Sequence, residues 1–428
     1  MFPASLEGDV RRTELAFVLA LLSVAPHALD ADSGQRGQEA KGLLQSLAKT
    51  PGPHIERIKA MGDNSWINLG QAAPCSRFPR KKVARGRAWA GKMAFVPELR
   101  GAFFCGTGSH GAVPDGYYMD DLWFYDVNAH KWICLYPGAT KLTQLKLDEN
   151  GFEVTLEGVQ NPVSYLSHAY CNTTYVDHLR KYMLIHRPCP WWTRALPQRA
   201  KWLGIPDGAK LSYNYGKLNM NCRHPIYWDV NENQWQRTFV RKKGGPEKSF
   251  CGVLEYVPSM KQALSVHYGK VWFYDFEKEE WTDSGIAKGP SGYDSNACLD
   301  REAEKMYLAS GKTFHVLNIK ARKWDRLEAE GQPENLGNTN GKLLLFDSAN
   351  GVVLFSKAGG EIWTYDPETS RWTDMGKTTP KIPWKRYNPK YMLAHGFYDP
   401  ELNVHFIYRA GDSGSNDATW LAYRYKRR

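Results

Sequence analysis

Aromatic and arginine side chains alternate in one stretch of the chain, residues 187–223. Its most informative side chains are Arg187, Trp191, Trp192, Arg194 and Trp202. Flat aromatic faces beside guanidinium groups suit stacking on sugar rings and bonding to hydroxyl, carboxylate or sulfate groups. The same residue types also dominate the energetic centres of protein–protein interfaces. A third interpretation remains open, in which the stretch is an irregular loop folded around its own aromatic core.

A second polar stretch, residues 107–121, contains Asp115 and Tyr117. The Asp115 carboxylate could hold a ligand hydroxyl or a hard cation, and Tyr117 adds a ring and a hydroxyl group beside it. The alternative is that these residues only form turns, as Asp and Gly commonly do. We count both as candidate ligand-binding residues.

Two histidines occupy equivalent positions, since His186 and His267 each follow a turn residue, Asp177 or Pro258, by nine residues. Both are candidate ligand-binding residues. A metal centre needs three or four converging ligands, and this spacing supplies two. The sequence therefore predicts neither a metal site nor a cofactor.

Common catalytic motifs are missing from the sequence, which has no nucleophile elbow, phosphate-binding loop, zinc-protease motif or dinucleotide-binding motif. The basic run from Arg77 to Arg87 could contact phosphate or an acidic glycan, but such runs are more typical of a solvated loop. No nucleic-acid-binding signature accompanies it. The expected partner is a glycan or a protein surface, not a nucleic acid.

A repeated unit determines how these residues must be positioned. The 428 residues include 16 Trp, 23 Tyr and 17 Phe with 38 Gly and 24 Pro, which favours an all-β fold with many turns. Five times, an aromatic strand ends in Asp or Asn and a Trp follows six residues later. The pairs are Asp126–Trp132, Asp229–Trp235, Asp275–Trp281, Asn318–Trp324 and Asp366–Trp372. This predicts a hairpin in which the Asp or Asn side chain bonds the turn backbone and Trp opens the next strand.

A second hairpin precedes each of these units. Its turn residues are Pro97, Asp177, Pro258, Asp300, Asp347 and Asp399. The period of about 45 residues, with four strands each, indicates β-propeller blades. The sixth blade lacks its outer strand, and the segment Asn64–Leu69 resembles the outer strands of the other blades. We therefore predict a six-bladed β-propeller closed by an N-terminal outer strand.

This pattern resembles the kelch-repeat family, which includes the central propeller of galactose-oxidase-like proteins. The resemblance covers residues 64–428 and rests on the aromatic-Tyr-Asp to Trp unit. It departs from the family at the double glycine that ends the second strand, where this chain has Cys105-Gly106 or Ser310-Gly311. The resemblance implies a carbohydrate-active enzyme, a sugar mutarotase, isomerase or oxidase, as the alternative function, with its site at the mouth of the propeller axis. No residues here match the ligands of a copper-radical oxidase.

Long connections all fall on one predicted face of the ring. In an antiparallel meander, the connections between strands 1 and 2 and between strands 3 and 4 lie on one face, and the 2–3 and 4–1 connections lie on the other. The long connections are 107–121, 137–166, 187–223 and 409–418, all of the second kind. Because loops on a rigid scaffold carry function, we predict a binding module that uses this face. Asn150-Gly151 also predicts an extra hairpin within 137–166.

The N-terminal segment resembles an export signal. Arg11 and Arg12 precede an apolar stretch, Leu15–Ala25, which is too short to span a bilayer and is typical of a secretory signal. The alternative is a buried N-terminal helix. The predicted organisation is a signal peptide at 1–31, a linker with a short helix at 32–60 and the propeller at 61–428. The protein is expected to be exported, periplasmic or extracellular, with no transmembrane span.

Eight cysteines show no metal-binding spacing. Cys189 and Cys222 bracket one irregular segment, and an exported protein permits disulfides, so we predict a disulfide between them. Most of the other cysteines fall inside predicted strands, where Cys usually behaves as a small buried apolar residue.

Overall fold

Six four-stranded antiparallel sheets form a ring, so the predicted six-bladed all-β propeller is confirmed. The structure is a computed structural model. It describes residues 42–78, 82–106, 121–138, 145–150, 153–155, 168–185, 223–246, 252–292, 294–337, 339–376, 392–411 and 418–426. Within each blade, consecutive strands pair with their neighbours. The first strands of neighbouring blades contact one another around the whole ring, so they lie at the axis and the fourth strands lie at the rim.

The strands are numbered in chain order from β1 (Ser65–Gly70), which pairs outside the first blade. Blade 1 contains β2 (Ala94–Val96), β3 (Gly101–Phe104), β4 (Leu122–Asp126) and β5 (Lys131–Tyr136). An extra hairpin, β6 (Leu145–Leu147) and β7 (Glu153–Thr155), follows it. Blade 2 contains β8 (Thr173–Val176), β9 (Lys181–Leu184), β10 (Ile226–Asp229) and β11 (Gln234–Arg237). Blade 3 contains β12 (Val253–Val257), β13 (Gln262–His267), β14 (Lys270–Asp275) and β15 (Glu280–Asp283).

Blades 4 to 6 complete the ring. Blade 4 contains β16 (Asn296–Asp300), β17 (Lys305–Ser310), β18 (Thr313–Asn318) and β19 (Lys323–Leu327). Blade 5 contains β20 (Lys342–Asp347), β21 (Val352–Lys357), β22 (Ile362–Asp366) and β23 (Arg371–Gly376). Blade 6 contains β24 (Leu393–Asp399), β25 (Val404–Ala410) and β26 (Ala418–Arg424), with β1 as its fourth strand.

The turn between strands 3 and 4 forms as its sequence predicts. In all five repeats the Asp or Asn side chain accepts a hydrogen bond from a backbone N–H group two or three residues later. The acceptors are Asp126, Asp229, Asp275, Asn318 and Asp366. The repeat Trp then lies opposite the residue that precedes the Asp or Asn, as Trp132 lies opposite Tyr125. Local side-chain chemistry therefore fixes the register of each outer hairpin.

One backbone feature identifies β1 as the sixth outer strand. A residue with positive φ lies two positions before the outer-strand Trp in every blade. These residues are His130, Asn233, Glu279, Arg322, Ser370 and, before Trp66, Asn64. The strand itself pairs antiparallel with β26, with Ser65 opposite Arg424. The prediction that an N-terminal strand closes the last blade is confirmed.

Side chains also join blade 6 to the N-terminal strand and to blade 1. The Arg424 guanidinium donates to the carbonyl oxygen of Met61 over 2.7 Å. Arg100 of blade 1 forms a bidentate ion pair with Asp399 of blade 6, with N–O distances of 2.9 and 2.7 Å. Tyr125 stacks on Trp420 with ring centroids 3.8 Å apart. The ring is thus closed by backbone pairing, charge and aromatic packing together.

The turns between strands 1 and 2 are of two kinds. In blades 1 to 3 a short 3₁₀ turn follows the strand, at Pro97–Leu99, Asp177–Leu179 and Pro258–Met260. In blades 4 to 6 an aspartate ends the strand and accepts hydrogen bonds from two turn N–H groups; these are Asp300, Asp347 and Asp399. Register equates Asp300 with Val257, not with Pro258. The sequence alignment of these turns is therefore off by one residue between the two halves of the ring.

The segment before β1 packs on the propeller. The pattern of Leu43, Leu44 and Leu47 predicts a short helix ended by Pro51, whereas residues 42–46 form turns and the helix α1 spans Pro53–Lys59. Leu44 and the α1 residues Ile55 and Ile58 are buried in the core shared with blades 1 and 6. This part of the predicted linker is therefore structural cover and not a loose tether. The predicted signal peptide lies outside the described residues, and no helix among those described is long and apolar enough to cross a membrane.

Buried ionic contacts hold the start of blade 1. The Arg87 side chain is fully buried, and its Nη2 lies 2.6 Å from Oδ1 of Asp121. The same guanidinium donates to the carbonyl oxygens of Gly106 and Arg85. Gly106 and Asp121 are the two residues that border 107–120, so one arginine joins both ends of that connection. The expectation that the basic run is a solvated loop is wrong for Arg87.

Five of the cysteines lie within the described residues, and all five are buried and outside any disulfide. They are Cys75, Cys105, Cys134, Cys171 and Cys298. Burial raises the pKa of the Cys171 thiol to about 11, so it remains protonated. The expectation that strand cysteines are buried is confirmed for Cys134 in β5 and Cys298 in β16, whereas Cys75, Cys105 and Cys171 are buried but lie outside the strands.

Buried histidines predict a loss of stability in mild acid. Burial lowers the pKa of His224, His267 and His395 to about 3, whereas an unfolded histidine titrates near 6.5. Below pH 6.5 the unfolded chain therefore binds protons that the folded protein excludes, and the free energy of unfolding falls as the pH decreases. We expect a loss of about 2 kcal/mol per buried histidine at pH 5, measured by urea unfolding at pH 7.5 and 5. The variant His267→Gln should show a shallower pH dependence, and identical stability at both pH values would contradict the prediction.

Candidate ligand-binding groove on blade 3

A groove of about 1060 Å³ lies on the face that carries the 2–3 and 4–1 connections. Three backbone segments form its walls. They are the connection into blade 3 (243–246), the 2–3 turn of that blade (267–270) and the connection out of it (283–288). The groove thus lies on the face predicted to bind, although it is built from short connections.

The groove is lined mainly by basic side chains. Among the described residues, its charged lining consists of Arg223, Lys243, Lys270, Lys288 and one carboxylate, Asp283. Lys270 Nζ lies 3.3 Å from Oδ2 of Asp283, and both side chains are largely exposed. An exposed pair of this kind contributes little stability, so the local excess of positive charge remains available to a ligand. A concave surface of one charge sign concentrates ligands of the opposite sign.

Aromatic rings flank these charges. Tyr268 occupies the 2–3 turn and is 49% exposed, an unusual exposure for a large ring among the described residues. Trp272 lies on the same wall, and Lys270 Nζ is 5.5 Å from its ring centroid. Rigid aromatic faces beside ammonium groups can stack on a sugar ring while the charges bind its acidic substituents.

Two glycines bring the connecting backbone close to blade 3. Gly244 and Gly245 have φ values of 116° and 111°, which L side chains rarely adopt. A Cβ atom at Gly245 would lie 2.8 Å from Cδ1 of Trp281. Trp281, the repeat Trp of the blade, donates from Nε1 to the carbonyl oxygen of Arg223 over 2.9 Å. Trp281 thus contacts both this wall and the backbone of Arg223.

His267 lies at the floor of the groove, where β13 ends. Its side chain is buried, and neither ring nitrogen has a hydrogen-bond partner among the described residues. The ring packs directly over Gly252, where a Cβ atom would come within 2.5 Å of Nε2. Because burial lowers its pKa to about 3, His267 is neutral at physiological pH and offers one donor and one acceptor.

The other predicted site residues lie outside the described residues. These are Asp115, Tyr117, His186, Arg187, Trp191, Trp192, Arg194 and Trp202, together with the predicted disulfide partners Cys189 and Cys222. His267 is the predicted residue that the structure places, and it lines the groove. Arg223, the last residue of the aromatic and arginine stretch 187–223, lines the same groove. The chain that carries the predicted anchors therefore enters blade 2 at the edge of this site.

Sequence reasoning missed most of the groove. Four of its lining residues lie in short connections, whereas the sequence prediction considered only the long ones. They are Lys243, Tyr268, Lys270 and Lys288. One usable signal was present: Lys242-Lys243-Gly244-Gly245-Pro246 places basic residues beside a glycine pair on a 4–1 connection. A glycine pair there indicates a close approach of backbone to a neighbouring element.

Within the part of the chain that the structure describes, no three His, Cys, Asp or Glu side chains converge as metal ligands would. No protein-family model and no curated protein matches this sequence. The function is therefore argued from the groove itself and from the propeller that supports it.

Proposed function

We propose that the protein is a binding module for an acidic glycan, which it holds in the groove on blade 3. The observation that carries this proposal is the combination of four basic side chains with the exposed ring of Tyr268 in one concave site. A volume of about 1060 Å³ is at the upper end of small-ligand pockets and suits a short oligosaccharide. Uronate or sulfate groups would meet the lysines while sugar rings stack on the aromatic side chains.

The proposal includes export and a kelch-type repeat. Export is supported by the apolar stretch Leu15–Ala25 after two arginines, and it would bring the groove into contact with extracellular or envelope polysaccharides. The kelch relationship is supported by the five units that run from Asp or Asn to Trp and by their common turn geometry. A protein partner for the same face is the competing hypothesis, because Trp and Arg residues in 187–223 also suit a protein interface.

Charge reversal in the groove tests the proposal. The double variant K270E/K288E is expected to weaken binding to polygalacturonate by about tenfold or more at low salt, because two attractive contacts become repulsive. The matched control K261E/K320E makes the same change in net charge on turns of the opposite face. Binding is measured by titration calorimetry with oligomers of defined length. An equal loss of affinity in both double variants would refute a localised site.

A second variant separates a glycan site from a general anion site. Tyr268→Ala removes the exposed ring and leaves the basic residues in place. We expect it to weaken binding to the oligogalacturonate and to leave binding to polyphosphate unchanged, since polyphosphate has no ring to stack. Equal effects on the two ligands would show that the groove recognises charge alone.

A further inference from the structure

A second cavity, of about 660 Å³, lies on the propeller axis and opens on the face opposite the groove. The first strands of all six blades contribute to its wall, through residues such as Ala94, Thr174 and Glu255. Its rim consists of turns between strands 1 and 2, including Asp300–Ala303 and Pro400. The cavity volume is in the range of sites for small molecules.

An ion pair lies at the inner end of this cavity. Lys92 precedes β2 of blade 1, and its Nζ lies 2.7 Å from Oε1 of Glu255 in β12 of blade 3. The same ammonium group donates to the carbonyl oxygen of Leu254 over 2.7 Å. The two side chains are only 14% and 9% exposed, yet both line the cavity. The pair joins blades that are not neighbours, so it spans the channel and gives the cavity a charged floor.

Four large hydrophobic side chains line the cavity beyond this floor, alongside polar residues such as Thr174 and Ser348. Phe95, Leu299, Phe346 and Tyr398 are partly exposed and line the cavity from blades 1, 4, 5 and 6. They occupy the same register position, one residue before the end of the first strand. The floor carries one positive and one negative group, and hydrophobic side chains lie next to it. A matching ligand would carry one negative group, one positive group and an apolar part.

We propose that the axial cavity binds a small zwitterion, a free amino acid with an apolar side chain. The ligand carboxylate would accept a hydrogen bond from Lys92, whose ammonium has three N–H groups and uses two in the contacts above. The ligand ammonium would bind the Glu255 carboxylate, and the ligand side chain would lie against the four hydrophobic side chains. A ligand with a single charge would be attracted by one of these two charged side chains and repelled by the other at almost the same distance. Its binding is therefore disfavoured. This proposal does not depend on the groove.

Three matched probes test the charge requirement by titration calorimetry on the full chain. L-Phenylalanine carries both charges, phenethylamine only the positive one and 3-phenylpropionate only the negative one. We expect phenylalanine to bind at least about tenfold more tightly than either analogue. Equal binding of an analogue, or no heat from phenylalanine up to about 10 mM, would overturn the proposal.

Variants test where the probe binds. Removing one partner would leave the other charge buried, so the double variant K92M/E255Q is used to keep the fold. It should show an unchanged tryptophan emission spectrum and no phenylalanine binding. The groove variant K270E/K288E should bind phenylalanine like the parent protein. The cavity proposal is therefore tested by phenylalanine binding and the glycan proposal by polygalacturonate binding, and either can fail without the other. Retained phenylalanine binding in K92M/E255Q would place the ligand elsewhere and contradict the assignment.

Discussion

The substitution Arg87→Met is expected to reduce the free energy of unfolding by about 3–5 kcal/mol. The guanidinium group is fully buried against the Asp121 carboxylate, which is buried as well, with 2.6 Å between their closest atoms. Methionine fills similar space but leaves the carboxylate buried without its cation. The cost is the desolvation of that charge, not the loss of contact area. Urea unfolding monitored by tryptophan fluorescence measures the difference.

A double variant separates charge from packing at this position. R87M/D121N removes both charges and should recover a substantial part of the lost stability, because no ionised group is then left buried. Arg87→Lys keeps the charge but cannot bond the carbonyl oxygens of Gly106 and Arg85 with the same planar group, and should fall between the parent and Arg87→Met. A loss below about 1 kcal/mol in Arg87→Met would show that the ion pair does not hold blade 1.

Removing the strand that closes the ring should have a still larger effect. A chain beginning at Gln71 lacks α1 and β1, and with them the pairing to β26 and the bonds from Arg424 to the backbone of Met61. We expect the free energy of unfolding to fall by more than about 5 kcal/mol, which is comparable to the whole stability of many domains. The exposed edge of β26 should also promote aggregation. Size-exclusion chromatography and thermal unfolding measure both effects.

A chain beginning at Gly42 is the control for this truncation. It keeps every contact described for β1, α1 and Leu44, so its unfolding transition should match that of the full chain. A synthetic peptide spanning residues 53–72 should restore a cooperative transition to the shorter chain. A cooperative and soluble chain that begins at Gln71 would show that β26 does not need its partner strand.

The fold could be predicted because each blade repeats a local solution. The Asp or Asn cap and the Trp that follows it determine one hairpin from about ten neighbouring residues, and five copies make the period visible. The position of β1 could also be predicted, since Trp66-Ile67 resembles the start of other outer strands. The residues that determine a single hairpin are close together in the sequence, and the ring results from repeating that hairpin unit.

The predictions that failed depend on contacts between distant residues. Arg87 lies in a basic run whose composition suggests a solvated loop, and its burial depends on Asp121 and on His395, which accepts from its backbone N–H. The groove combines Lys243 and Lys270, from two short connections, with Arg223 at the end of the long connection 187–223. The alignment of the turns between strands 1 and 2 was wrong because two kinds of turn occur there. The first residue of the 3₁₀ turn lies one position after the residue that corresponds to the capping aspartate.

Closure by β1 also sets the order in which the molecule can be completed. Ser65 and Arg424 face each other across β1 and β26 in blade 6, so the two partners are 359 positions apart in the chain. At about 5–20 residues per second, a ribosome needs roughly 20–70 s to make that span. Blades 1 to 5 each pair strands that follow one another in the chain, so each can form once its own segment has been made, whereas β1 must wait unpaired. A chaperone that shields this strand during synthesis would therefore matter more for yield than one that acts on any single blade.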